Sequence, residues 1–205
     1  MYGPAIPSPR VGDDGEIMAE LDDVISRARS GDEAAFVILF RTYQPLLLRF
    51  LRGVARDVCD DLASDVWLDV VRGLRTFTGD ESGFRGWLFT IARRRVIDLR
   101  RARSRRPEVL SAEPPDDAVA PDAGWEVDQA FSTDRAIALI SELPTEQAEV
   151  VLLRVVAGLD VPAVAAIVGR RSATVRVQSH RGLRRLADIL AERDAAVTEP
   201  TSPTI

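Results

Sequence analysis

Apolar residues recur at helical spacing through most of the chain. Val161, Val164, Ala165 and Val168 lie at i, i+3, i+4 and i+7, one face of a short helix. Asp160 precedes them as an N-cap, and Pro162 sits in a first turn that needs no N–H. Gly169 is the residue most able to take a left-handed conformation where that helix ends. Ser172 can cap a second helix, along which Val175, Leu183, Leu186 and Leu190 continue an apolar seam. Ser179 falls on that seam where leucine is expected, which predicts looser packing there. The opposite face carries Thr174, Arg176, Val177, Gln178, His180, Arg181, Arg184 and Arg185. Residues 161–180 therefore read as a helix-turn-helix.

The same period runs upstream. A helix is predicted from about Ile17 to Ala28, ending before Ser30-Gly31, and Asp32 caps the next. Phe36, Leu39, Phe40, Tyr43, Leu46, Leu47, Phe50, Leu51 and Val54 make a stripe too bulky and continuous to be a site, so it is expected to form a core. Pro45 lies inside the stripe and predicts a kink or a split. A third helix starts near Asp57 or Asp60, with Leu62, Val66, Val70, Val71 and Leu74 as its buried edge. Asp60, Asp61, Ser64, Asp65 and Asp69 form its outer face. Trp67 lies off the stripe, either as part of a docking surface or as a half-buried member of a solvated face. Residues 76–83, TFTGDESG, read as a loop, and Ser82 or Gly83 leads into a fourth helix. Phe84, Trp87, Leu88, Ile91 and Leu99 are its inward positions.

Residues 107–130 combine Pro107, Pro114, Pro115 and Pro121 with many acids, the composition of a flexible linker. Helix resumes near Ser132, with Ile137, Leu139, Ile140 and Leu143 apolar. Pro144-Thr145 breaks it and starts another, in which Ala148, Val151, Leu152, Val155 and Val156 face inward until Gly158. The pattern predicts an all-α chain of two small helical domains joined by a flexible acidic linker. Its expected parts are a disordered tail (1–16), a first domain (17–106), the linker (107–131), a second domain (132–192) and a disordered tail (193–205).

Charge changes this picture more than length does. All 27 basic residues are arginine, which reads mainly as a coding bias, although arginine also suits bidentate phosphate and guanine contacts. The net charge of −5 hides segregation: residues 93–106 hold eight Arg against one Asp, and residues 170–185 hold six Arg and no acid. Two basic patches between acidic spacers point to a chain that touches nucleic acid in two places. In the helix-turn-helix, a buried rear, donors at the front and cations on the flank are what a major-groove reader needs, whereas a plain helical hairpin would need only the first. Clustered arginines beside aromatic residues in the fourth helix fit single-stranded nucleic acid.

The single Cys59 excludes an internal disulfide and a multi-cysteine zinc site, and the single His180 removes most catalytic triads. Cys59 is either a small packing residue or redox-sensitive. No apolar run approaches a membrane span, and MYGPAIPSPRVGDDGE lacks the basic start and apolar core of a signal peptide. A soluble cytoplasmic protein without cofactor, metal or catalytic site is expected. The competing readings are a free-standing helix-turn-helix transcriptional regulator and a nuclease holding a metal on the acids at 60, 61, 65 and 69. The first leaves the acidic and Arg-rich helices unexplained. The second lacks a general base.

Four stretches together resemble the extracytoplasmic-function sigma factors, the minimal branch of the sigma-70 family. They are the helix with Phe36, Tyr43 and Leu47; DDLASDVWLDV at 60–70; FRGWLFTIARRRVIDLRR at 84–101; and residues 143–186. The resemblance covers about 32–106 and 134–190, in family order. It implies that the chain binds core RNA polymerase, directs it to specific promoters and helps open the −10 region. It implies docking on the β′ clamp helices through Asp61, Leu62, Ala63, Ser64 and Asp65, although the family usually has Gln and Glu where this chain has Ser64 and Asp65. It implies single-stranded −10 contacts by the loop 76–83 and the following helix, with Phe77, Phe84, Trp87, Arg93, Arg94, Arg95, Arg100 and Arg101 as candidates. It implies duplex −35 contacts by Arg171, Ser172, Thr174, Arg176 and Arg181. The β flap and an anti-sigma factor are the further partners it implies, with no membrane insertion.

Overall fold

The computed structural model describes residues 14–105 and 124–198, with side chains described over 20–105 and 133–193. The expected disorder of the two tails and the linker lies largely outside these residues. Every regular element among them is helical: α1 (Asp14–Arg29), α2 (Glu33–Ala55), a 3-10 turn (Arg56–Val58), α3 (Cys59–Leu74), α4 (Glu81–Arg105), α5 (Gly124–Ser141), α6 (Thr145–Val151), a π turn (Leu152–Val156), α7 (Val161–Val168) and α8 (Ser172–Thr198). Three starts and one end differ from expectation: α1 begins at Asp14 instead of about Ile17, and α8 runs on to Thr198, into the segment expected as a disordered tail. The helix expected near Ser132 begins at Gly124, inside the segment read as linker, and α4 begins at Glu81.

Helices α1–α4 bury one face each around Ile25, Leu39, Tyr43, Leu47, Phe50, Leu51, Val66, Val70, Phe84, Leu88 and Phe89. Asp32 caps α2 by accepting from the Ala35 N–H at 3.1 Å, and its other oxygen takes Arg27 at 2.6 Å. Helix α2 runs through Pro45 as one element, so the expected split does not occur. Proline removes only one N–H, and Pro45 is exposed, so water can satisfy the carbonyl left behind. Phe40 and Val71, placed in the core by period alone, are exposed, whereas Trp67 is buried at 6% exposure and donates to Gln44 Oε1 at 2.6 Å. The stretch 33–74 contains a window long and apolar enough to cross a membrane, so the expectation that no run comes near that length does not hold. In the fold Leu39, Leu47, Phe50 and Leu51 of this stretch are fully buried in the bundle, while Val37, Ile38, Phe40, Leu68 and Val71 are exposed.

At the base of the first domain a charge is buried. Glu81, 1% exposed, accepts from the Tyr43 hydroxyl at 2.5 Å and from Arg85 Nε at 2.9 Å, and its own N–H donates to Asp22 Oδ1 at 2.6 Å. Burial, then the hydrogen bond and charge of Glu81, push the Tyr43 hydroxyl well above the ordinary value of 10.0. The folded chain therefore keeps a proton that the unfolded chain releases. Stability is complete below about pH 10 and falls above it, by at most about 1.4 kcal/mol per pH unit. The chain has no lysine to mask this transition, although the buried Cys59 thiol is shifted the same way. Tyr43→Phe is expected to flatten the alkaline slope of a urea-melt series, with Cys59→Ser as the matching control.

In the second domain, α6, the π turn, α7 and α8 surround Val151, Leu152, Leu153, Leu159, Val164 and Val175. The π turn places one extra residue in the helix, with Ala157 N–H donating to the Leu152 carbonyl at 3.0 Å. That shift buries Leu152 and Leu153 side by side and turns Val155 outward, where a regular helix had been expected to bury it. The seam of α8 also differs from expectation. Leu183 and Leu190 are exposed, and Gly182 takes their place at the contact, where an added Cβ would lie 2.8 Å from Val151 Cγ2. Gly182, about one turn beyond Ser179, thus marks a close approach of α8 to α6.

The two domains touch. Helix α2 packs on α5, α6 and the π turn, and α4 packs on α7. Their buried side chains form one continuous cluster.

Candidate nucleic-acid and polymerase interfaces

The helix-turn-helix is built by local rules. Asp160 Oδ1 accepts from the Ala163 N–H at 2.7 Å and starts α7. Gly169 takes φ 66, ψ 37, a left-handed conformation, and returns its N–H to the Ala165 carbonyl. Val164, Ala165 and Val175 are buried between α7 and α8. This fixes α8 with Arg171, Thr174, Arg176 and Arg181 exposed and Ser172 half-buried. Arg171 immediately precedes α8, and the other four −35 candidates share its N-terminal part. Arg170 is engaged by Glu146 at 3.0 Å, a surface pair of little energetic weight.

The arginines of α4 divide into two groups. Arg94 and Arg101 are exposed, the latter within 3.7 Å of Asp98 on its own helix. Arg100 is also exposed and donates to the Val54 carbonyl at 3.2 Å. Arg95 instead reaches α3, donating to Asp69 at 2.8 Å with Asp65 nearby at 3.7 Å. Hydrogen bonding to Asp69 raises its pKa. Arg93 crosses to the second domain and donates to Glu149 at 2.9 Å. Two of the five arginine candidates for the −10 element are therefore structural ion pairs in this form.

The aromatic candidates also divide. Phe84 is fully buried against Tyr43, with ring centroids 5.2 Å apart, so it is a core residue and offers no face to a base. Phe77 and Trp87 are half-buried and stack on each other, centroids 5.1 Å apart and planes 26° from parallel. Asp80 holds the loop beside them by accepting from the Gly83 N–H at 2.8 Å.

On α3, Leu62 and Ala63 point into the core and cannot meet a partner. Asp61 and Ser64 are exposed and Asp65 half-buried. Leu68 at 52% and Val71 at 54% exposure extend this face, and with Phe36, Phe40, Gln44, Ser64 and Trp67 they line an apolar groove. Period reasoning missed Phe40 and Val71 as surface residues because both fall on an apolar stripe of helical period, and Leu68, off that stripe, was given no place. The acids at 60, 61, 65 and 69 do not converge on a metal. Arg95 engages two of them, and no group of three ligating residues occurs among the described residues. Cys59 is buried, and burial raises its thiol pKa, the opposite of a redox-poised cysteine.

Comparison with known proteins matches each half to a family. The Sigma-70 region 2 family matches residues 39–106 and the Sigma-70, region 4 family matches residues 133–186. The chain is 34% identical over 198 residues to the ECF RNA polymerase sigma factor SigD of Mycobacterium tuberculosis, covering 92% of each chain. It is 34% identical over 178 residues to the ECF RNA polymerase sigma factor ShbA of Streptomyces griseus, covering 80% of this chain and 91% of that one. Its fold resembles RpoE of Bartonella quintana, solved with the anti-sigma factor NepR, with TM-score 0.62 and 22% identity over 76% of this chain and 96% of that one. Its fold also resembles CnrH, solved with the cytosolic domain of CnrY, with TM-score 0.58 and 22% identity over 84% of this chain and 98% of that one. An exposed cationic helix-turn-helix, a separate Arg-rich helical domain and both sigma-70 regions in order make this chain a member of the extracytoplasmic-function sigma factors of RNA polymerase.

Proposed function

We propose that this sigma factor docks on the β′ clamp helices of core polymerase through the outer face of α3 (Asp61, Ser64, Asp65, Leu68 and Val71). The apolar groove beside it would add hydrophobic area, with aspartates on its rim supplying orientation. The observation that carries the reading is the pair of surfaces on one chain. Arg171 stands exposed just before α8, Thr174, Arg176 and Arg181 stand exposed on it, and Arg94, Arg100 and Arg101 stand exposed on α4. The first set reads duplex −35 DNA. The second, with Phe77 and Trp87, holds the separated −10 strand.

The mechanism needs no catalytic group in this chain. A flipped base is available only after the duplex opens, so binding it shifts the equilibrium towards melted promoter. Stacking contributes about 1–3 kcal/mol per base, enough to bias opening when polymerase supplies the rest. Each DNA surface is small, and holding both on polymerase raises the effective concentration of the second. The same reading places the protein in the cytoplasm with the β flap and an anti-sigma factor as further partners. One solved structure of similar fold carries such a partner, RpoE bound to the anti-sigma factor NepR, and CnrH is bound to the cytosolic domain of CnrY.

Run-off transcription on a promoter library with core polymerase tests this. Specific transcripts appearing only with the protein are expected, and they reveal both promoter elements. Tight binding to duplex DNA without polymerase, and initiation independent of the protein, would replace the reading with a free-standing regulator. Within the −35 reader, Arg176→Ala is expected to cost about 1–3 kcal/mol of promoter binding if it contacts a base. Competition against single-base variants of the site measures this. A base contact relaxes selectivity at one position, and a phosphate contact weakens all variants equally.

A further inference from the structure

Among the described residues the first domain buries one acid, and the promoter-reading surfaces do not use it. Glu81 is the first residue of α4, directly after the loop that carries Phe77. Its Oε1 takes the Tyr43 hydroxyl and both Nε and Nη2 of Arg85. Its Oε2 is buried with no hydrogen-bond partner among the described residues. A half-satisfied buried carboxylate is a poor device for stability alone, since apolar side chains of similar volume would avoid its desolvation.

We propose that Asp22 and Glu81 are positioning residues for promoter opening: they fix the loop 76–80 so that the Phe77–Trp87 stack is in place before an unpaired base arrives. This rests on the −10 reading above. Each end of the loop is tied. Thr76 gives its N–H and its hydroxyl to the Gly73 carbonyl, at 3.1 and 2.9 Å, and Phe77 gives its N–H to the Leu74 carbonyl at 3.1 Å. At the other end Asp80 accepts from the Gly83 N–H. Asp22, exposed on α1, reaches across to accept from the Glu81 N–H, a helix-start donor that has no partner within α4. Between these ties Thr78 and Gly79 make no such bond.

The stack is gripped from the same node. Tyr43 packs on Phe84, whose ring meets Phe77 at 5.8 Å and Trp87 at 5.9 Å between centroids. Trp87 lies over Gly73, where an added Cβ would come within 2.7 Å of its Cζ2. One run of contacts thus leads from Asp22 and Tyr43, through Glu81 and Phe84, to the stack. Base capture gains only what remains after the loop has been ordered. With Glu81 held, that order is set at folding. Without it, each backbone residue that must be fixed at capture lowers the open-promoter population about tenfold. The effect is confined to opening, because Asp22 and Glu81 lie neither on α8 nor on α3.

The test uses the full chain with core polymerase, on a promoter recovered from the run-off library. 2-Aminopurine in the non-template strand of its −10 element reports unstacking. Asp22→Ala removes the acceptor at an exposed position, and Asp22→Asn keeps an oxygen there without the charge. Asp22→Ala is expected to lower the open-promoter signal about tenfold, with core affinity and thermal melt near wild type, and Asp22→Asn to restore most of it. Tyr43→Phe, which frees Glu81 from α2, should lower opening in the same way. Asp22→Ala decides the matter should Tyr43→Phe fail to fold. Wild-type opening in folded Asp22→Ala, a loss that Asp22→Asn shares in full, or a loss that only follows a fall in core affinity would each overturn the positioning role. Wild type giving no polymerase-dependent transcript would instead overturn the sigma reading, before any variant is compared.

Discussion

Glu81→Ala is expected to destabilise the first domain by about 3–5 kcal/mol, the range for removing one partner of a buried pair. The carboxylate receives Tyr43 and Arg85 on one oxygen, and its backbone N–H is held by Asp22, so α1, α2 and α4 meet at this residue. Truncation leaves the Arg85 guanidinium, 28% exposed, beside a cavity instead of an anion. Glu81→Gln should cost less, because the amide oxygen still accepts from Tyr43 while the charge opposite Arg85 is lost. Urea melts followed by circular dichroism measure both. A loss below about 1 kcal/mol for the alanine variant, the scale of a surface pair, would show that water replaces the carboxylate and that the node contributes little. Because Glu81 opens the helix after the loop 76–80, the same variant should also loosen that loop.

The second large effect is on assembly. Leu68→Arg is expected to weaken binding to core polymerase by at least about 2 kcal/mol, roughly 30-fold, if α3 is the docking face. Leu68 is half exposed and bounds the apolar groove without joining the core, so the folded domain should tolerate the change. Fluorescence anisotropy of labelled protein titrated with core enzyme gives the affinity, and the thermal melt confirms folding. Unchanged affinity with an intact melt would move the docking surface elsewhere. Substituting Leu62 or Ala63 would not answer the question, because both are buried and would unfold the domain before testing the interface.

What the sequence made legible was whatever is decided within a few residues. Asp32, Asp160 and Gly169 were assigned as caps and turn residues, and each performs that part, because a cap needs only its own first turn. The separation of cationic stretches from the apolar stripe likewise needs no knowledge of partners. The rest depends on residues far apart in the chain. Glu81 sits in a stretch that reads as polar loop, and its burial is set by Tyr43, 38 positions away. Gly53 and Gly182 look incidental until Leu152 and Val151 are found against them. Phe40 and Val71 obey the periodicity of a core, but nothing in the described chain covers them. Period measures which face a residue is on, and a face is buried only if something packs there. For the same reason Arg93 and Arg95 looked free for DNA until their carboxylates appeared on α6 and α3.

The π turn at Leu152–Val156 also bears on how the chain tolerates changes of length. A π turn is an α-helix carrying one residue more than its hydrogen-bond register needs. Deleting one residue there would restore a regular helix at little local cost. It would also rotate the downstream helices by about 100°, one residue's share of a helical turn. Everything C-terminal to the turn, including the Asp160 cap and the reading face of α8, would then be turned away from its packing on α6. The five residues from Leu152 to Val156 therefore set the angular phase of the DNA reader relative to the rest of the chain. A deletion at this point changes the aim of the reader and the packing that holds it together.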